Sequence, residues 1–188
     1  MNQLDARVRY TQMVIEKTFL EILVDKPVNK ITVTELCQRA QINRATFYKH
    51  YMDIPDLLEK LEQRLFEQIR AAFSDHATGM EAFLEDMLNY MRQEGMRFMI
   101  LGSDHGDPNL VARTFDVCYE NAYPILKINL PWLCDEERHM LYHFLSQGSS
   151  GILTYWVRNG MKEPPASVIQ FLMKVCTAAI APFVKQNN

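Results

Sequence analysis

Residues 43–51, NRATFYKHY, gather most of the chain's candidate binding chemistry into nine positions. Arg44, Lys49 and His50 supply cationic or titratable donors, Thr46 and Tyr48 hydroxyls, and Asn43 an amide. This set is suited to hydrogen bonding with phosphate oxygens and base edges. It is not suited to covalent chemistry: no Ser-His-Asp order, Gly-rich phosphate loop or acidic metal cluster stands out anywhere in the sequence. His139 and His143 have a spacing that suits a metal on a helix. However, the Glu that a metalloprotease motif needs after the first histidine is Met140. Both histidines sit among Leu141, Tyr142 and Phe144, as core or interface histidines do. Cys37, Cys118, Cys134 and Cys176 lie far apart with no CxxC pair and read as free thiols in a reducing compartment. No metal, cofactor or catalytic residue is expected.

The elements that position these donors read as helices almost throughout. The chain has 188 residues, 48% hydrophobic and 23% charged, which suits one globular domain or two small ones. No apolar run reaches the length of a membrane span and no apolar h-region follows the N-terminus, so a cytoplasmic location without membrane contact is expected. The net charge of −3 is unevenly spread. Residues 1–52 carry eight Lys/Arg against five Asp/Glu, and residues 53–188 carry twelve against eighteen. A basic head on an acidic body suggests that the head alone approaches a polyanion.

Periodicity predicts a first helix over about residues 5–24, with Val8, Ile15, Phe19, Ile22 and Leu23 on one face. Thr32-Val33-Thr34-Glu35 matches a capping box and opens a second helix. Asn43 caps a third, to about residue 50. Asp53, with Pro55 in the first turn, opens a long fourth helix reaching about residue 74. A Met-rich helix is expected over 80–101, then a loop over 102–109 with Asp107 as the next cap. Further helices are expected over about 108–123, a Pro-interrupted piece to 132, 135–158 ending at Gly160, and 164–183.

The second and third helices with their short link have the form of a helix-turn-helix. Leu36 and Ala40 face inward, Ile42 plugs the turn, and Ala45 and Phe47 face inward again. Arg44, Thr46, Tyr48, Lys49 and His50 are left outward. Pattern alone fits a plain helical hairpin with a polar outer side equally well.

The stretch ITVTELCQRAQINRATFYKHYMDIPDLLEKL, residues 31–61, resembles the signature of TetR-type transcriptional regulators. Shared features are a Thr-capped helix, a tight turn, an Asn-capped recognition helix with Thr-Phe-Tyr, an aromatic pair and a capped long helix. Weaker likenesses occur at GMRFMILGSDHGDPNL and WVRNGMKEPPASVI. The resemblance implies an all-α homodimer of about nine helices. Its helix-turn-helix DNA-binding domain would span residues 1–52, and its helical regulatory and dimerisation domain residues 53–188. It also implies a regulator, most often a repressor, that binds a palindromic site in double-stranded DNA and is not an enzyme. Thr34, Asn43, Arg44, Thr46, Tyr48, Lys49, His50 and Tyr51 are the implied DNA contacts. Two positions depart from the family pattern: Gln41 stands at the usual turn glycine, and Ile54 and Met52 replace frequent lysines.

The remainder suggests two further sites. Met87, Tyr90, Met91, Phe98, Phe115, Tyr119 and Tyr123 form a plastic apolar set that suits a pocket for an apolar or aromatic ligand. The same residues at helical spacing equally fill an ordinary core. The last helix is apolar over more than one core face, and the helix before it carries small residues. Together with the homodimer that the resemblance implies, these features suggest a two-fold helical interface at Phe144, Gly148, Gly151, Ile152, Leu172, Val175 and Ala179, the alternative being that the two helices pack within one protomer. A C-terminal region that binds a partner protein instead of a small molecule, or an all-α enzyme, are the alternatives from other classes.

Overall fold

The computed structural model describes residues 3–73 and 80–184. Among these residues the structure is all-α. The helices are α1 (Gln3–Asp25), α2 (Val33–Arg39), α3 (Arg44–Tyr48), α4 (Ile54–Phe73), α5 (Met80–Gln93), α6 (Gly95–Leu101), α7 (Leu110–Asn129), α8 (Asp135–Arg158) and α9 (Pro165–Ile180). Short 3-10 turns occupy Val28–Lys30 and Ala181–Phe183. The chain forms two compact units, Met1–Leu65 with Met96–Pro108, and Phe66–Gly95 with Asn109–Asn188.

In the first unit, α1 buries Ile15, Phe19, Ile22 and Leu23, while Val8 on the same stripe is exposed. Thr32 caps α2 by accepting the Glu35 N–H at 3.2 Å. The return half of the expected capping box is replaced: the Glu35 carboxylate takes Lys26 Nζ at 2.6 Å and Arg39 Nη2 at 3.4 Å. Charged donors outcompete a neutral backbone N–H for a carboxylate. The end of α2 is a Schellman motif, with Ile42 N–H donating to Cys37 O and Gln41 N–H to Gln38 O. Its left-handed position is Gln41, at φ 53°.

The long helix expected over 80–101 divides at Gly95 into α5 and α6. A Cβ there would lie 3.0 Å from Met161 Cε. The loop after α6 also belongs to the first unit. It is strapped to the connection after α1: Val28 N–H donates to His105 O at 2.8 Å, and His105 Nδ1 donates to Leu23 O at 3.0 Å. The loop closes on itself through Asp107 N–H to Leu101 O at 2.7 Å. At Gly106 a Cβ would sit 2.2 Å from that same carbonyl, so only glycine fits.

In the second unit α7 packs against α8, α5 against α9, and α8 against α9. Leu126, Leu130, Leu133, Leu141 and Tyr142 form a core, flanked by Tyr123, Leu145 and Ile180. α7 starts at Leu110 without a side-chain cap, so Asp107 is not its cap, and it runs unbroken through Pro124. Interior proline costs about 3 kcal/mol relative to alanine; burial of Leu126 and of the C-cap residue Leu130 beyond it offsets part of that loss. Cys134 caps α8 through a full capping box with Glu137. The same helix ends at Gly160, φ 78°, in a second Schellman arrangement. Residues 165–183 are apolar and long enough to cross a membrane by length and composition, longer than the sequence reading allowed. One side of α9 is nonetheless protein-facing, with Pro165, Val168, Ile169 and Leu172 buried.

Two outcomes follow. Gln41→Gly relieves the left-handed residue and is expected to stabilise the first unit by about 1 kcal/mol, read as a raised denaturation midpoint at unchanged slope. Lys26 holds the Glu35 carboxyl below its ordinary range; the Met52 backbone N–H, then Lys60, do so for Asp56, and the Cys134 backbone N–H for Glu137. A lowered carboxyl pKa contributes stability above its unfolded value and loses it as pH falls through the folded value. The melting temperature should therefore drop as pH is taken below about 4, and Asp56→Asn should shrink the drop.

Candidate nucleic-acid interface

α3 is one and a half turns long, so its pose is set by what fastens it. Asn43 Oδ1 accepts the Ala45 N–H at 2.8 Å and closes the first turn. Phe47 is completely buried. Its ring meets Tyr48 edge-on at 5.5 Å and Tyr51 at 5.6 Å. Beyond the helix, Lys60 Nζ donates to the His50 carbonyl at 3.1 Å and to Asp56 Oδ2 at 2.9 Å. The same ammonium lies 5.4 Å from the Tyr51 ring centroid, a cation–π contact. Asp56 also accepts the Met52 N–H at 2.8 Å, and Asp53 accepts the Asp56 N–H at 2.8 Å, capping α4. These bonds fix the α3–α4 turn.

With α3 so held, Arg44 and Lys49 are exposed and form no ion pair among the described residues. Tyr48 is 51% exposed, Thr46 and His50 are half-buried, and Asn43 and Thr34 are exposed. The arrangement presents two unneutralised cations, two hydroxyls and an imidazole around a short helix. It can donate to a polyanion.

Two residues lie elsewhere than the sequence places them. Tyr51 is 2% exposed and donates its hydroxyl to Glu16 Oε1 at 2.8 Å. It is a core residue, because the chain has already left α3 and turned inward. Ala45, read as inward, is exposed, and Phe47 alone anchors the helix. Ile54, where the family pattern often has lysine, is buried. Lys60 is the functional residue that sequence reasoning missed. Its signal was the spacing Asp56-x-x-x-Lys60, an i,i+4 pair on the first turns of α4.

The proposed ligand residues fall in both units. Tyr90 and Met91 belong to the second unit, where Tyr90 donates to Gln68 and Met91 is buried. Phe98 is buried in the first unit. Tyr123 packs on the α7–α8 core and lies against His139, with ring centroids 4.6 Å apart. The side chains of Met87, Phe115 and Tyr119 lie outside the described residues. His139 and His143 are exposed, which removes the core reading for both.

A different concavity is present. An open groove of about 530 Å³ runs between α8 and α9, lined by Gly148, Gly151, Ile152, Tyr155, Trp156 and Phe171 among others. Three of the seven residues placed at a two-fold interface line it. Phe144 at 65%, Tyr155 at 69% and Phe171 at 54% exposure make the surrounding surface apolar, with Val175 also exposed. Ala179 is half-buried, whereas Leu172 is buried within the unit and belongs to its core.

Comparison with known proteins agrees with this architecture. A TetR-type family model described as "Transcriptional regulator C-terminal region" matches residues 78–178. The uncharacterized HTH-type transcriptional regulator YxbF of Bacillus subtilis (strain 168) is 26% identical over 171 residues, 87% of this chain and 43% of the relative. The chain thus spans less than half the length of that curated relative. Among solved structures, a TetR transcriptional regulator from Streptococcus agalactiae 2603V superposes with a TM-score of 0.70 at 23% identity, covering 92% of this chain and 96% of the other. The dihydroxyacetone kinase operon activator DhaS gives 0.65 at 17% identity, covering 93% and 98%. These two structures share the fold. With more than half of its length matched by the family model, the chain belongs to the TetR family of transcriptional regulators.

Proposed function

We propose that the chain acts as a homodimer that binds a palindromic DNA site through α3. Residues 1–52 would carry the DNA-reading surface, and residues from 53 onward dimerisation and control. The observation that carries this reading is the fastened α3 with Arg44, Tyr48 and Lys49 exposed and Thr46 half-buried. Two such helices, one per protomer, would enter successive major grooves about 34 Å apart. Occupying a promoter there blocks other proteins, so repression is the expected effect. DhaS is named an operon activator, and a reporter with the selected site at or upstream of the promoter distinguishes the two signs. Among the described residues, no group favours an enzymatic role.

The second copy is supported by the apolar surface of α8 and α9. Exposed aromatics around a glycine-floored groove are costly in water and mark an interaction surface. A two-fold contact brings the same patch of each protomer together, and open space above Gly148 and Gly151 lets backbones approach. Control would come from an apolar or aromatic small molecule bound in the body, as its Met-rich and aromatic composition suggests. A signal with different affinity for two dimer states would change the spacing of the two α3 helices and release DNA. The alternative controller, a partner protein, would compete for the same exposed apolar surface. Dimer dissociation on adding that partner distinguishes it from a small molecule.

Binding is tested with a duplex selected by the wild-type protein from a random pool. Tyr48→Ala should weaken binding by about 1–3 kcal/mol if the side chain reads a base. Lys49→Ala should weaken it across sequences and reduce the slope of log affinity against log salt by about 1. Both variants should keep the wild-type melting temperature. Unchanged affinity in both rejects the contact assignment. In sedimentation at micromolar concentration the wild type should be a dimer and Gly151→Arg a folded monomer. A monomeric wild type rejects the interface.

A further inference from the structure

Four elements converge on one carboxylate in the first unit. Glu16 of α1 is 7% exposed. Its Oε1 accepts the Tyr51 hydroxyl at 2.8 Å and lies 2.7 Å from Arg64 Nη2 on α4. Its Oε2 lies 3.8 Å from Arg97 Nη2 on α6. A buried carboxylate is tolerable only when charges and hydrogen bonds replace its water. Here two guanidinium groups and a phenol do so. Burial, then the neighbouring carboxylate, pushes the Tyr51 phenol well above its ordinary range. The hydroxyl therefore stays protonated and the direction of its bond is fixed. Tyr51 in turn donates its backbone N–H to Phe47 O at 3.0 Å and packs on the Phe47 ring.

We infer that Glu16 is a positioning residue for DNA reading, holding Tyr51 and with it the C-terminal end of α3 at an angle set jointly by α4 and α6. The inference rests on the proposed reading that the outer face of α3 contacts DNA. A base contact tolerates a misplacement of only about 0.5 Å. α3 has no length with which to resist a tilt: Asn43 holds one end, and Phe47 with Tyr51 the other. Loosening Tyr51 therefore moves Tyr48 and Lys49 without unfolding anything. Arg97 enters for an electrostatic reason. It carries no atom of the reading face, and at 3.8 Å its pairing with Glu16 is one of charge, so lysine can serve in its place.

The test uses the full chain and the duplex selected by the wild type, well below each variant's melting temperature. Tyr51→Phe removes only a hydroxyl and Glu16→Gln only a charge. Each should lower affinity on the order of tenfold, the scale of coupling between networked residues, and the double variant should be no weaker than Glu16→Gln alone. Amide hydrogen exchange over residues 44–51 should quicken in both, while the salt slope stays at the wild-type value, since no phosphate contact is lost. Arg97→Gln should weaken binding, and Arg97→Lys should restore it. If Glu16→Gln does not fold, Tyr51→Phe and the Arg97 pair decide the matter alone. Folded Tyr51→Phe and Arg97→Gln with affinity within twofold of wild type, while Tyr48→Ala loses binding, would overturn the positioning role and leave the DNA-reading assignment intact. A wild type that selects no duplex overturns the DNA-reading assignment, and this inference with it.

Discussion

A helix of five residues cannot hold its shape in water. Its first hydrogen-bonded turn fixes about six dihedrals for one bond, and isolated helices shorter than roughly 12 residues are marginal. α3 exists because neighbouring groups supply what its length does not. Asn43 satisfies an orphan N–H at its start, Phe47 sinks one side chain into the core, and the turn beyond is fastened through Tyr51, Asp56 and Lys60. The inner side is therefore over-determined while the outer side bears no structural duty. That division leaves Arg44, Thr46, Tyr48 and Lys49 available for recognition.

Local features of this head were readable from sequence because they depend on near neighbours. The Thr32 and Asn43 caps are each settled within three residues, and burial of Phe47 follows from helical period. What failed depends on distant partners. Tyr51 looks like its neighbour Tyr48 in sequence; only Glu16, thirty-five residues earlier, decides that one is core and the other surface. Glu35 fits a capping box until Lys26 arrives from the preceding loop. The break between α5 and α6 falls beside Gly95, whose packing partner, Met161, is far along the chain. The pocket expected from Met and aromatic content is a reading of another kind, because composition identifies apolar residues but does not say which of them share a wall.

The body poses a different constraint. α9 is apolar on more faces than one unit can bury, and the groove beside it keeps Phe171 and Tyr155 in water. Widened apolar stripes were visible in the sequence as a surplus, and the structure places that surplus around the small residues of α8. Leu172, assigned to the same surface, goes inward because the stripe wraps the helix and one edge must close the unit's own core. The surplus is what a second copy would consume.

The strap from His105 to Leu23 and Val28 has a consequence for modularity. A helix-turn-helix is often treated as a portable cassette, cut where the long fourth helix begins. In this chain the cassette is not contiguous: residues 96–108 return from far along the sequence to complete it. A fragment ending at residue 65 would lose the donor to the Leu23 carbonyl and Arg97, the more distant of the two arginines beside Glu16. A chimera built at the obvious boundary would carry one protein's helices on another protein's strap.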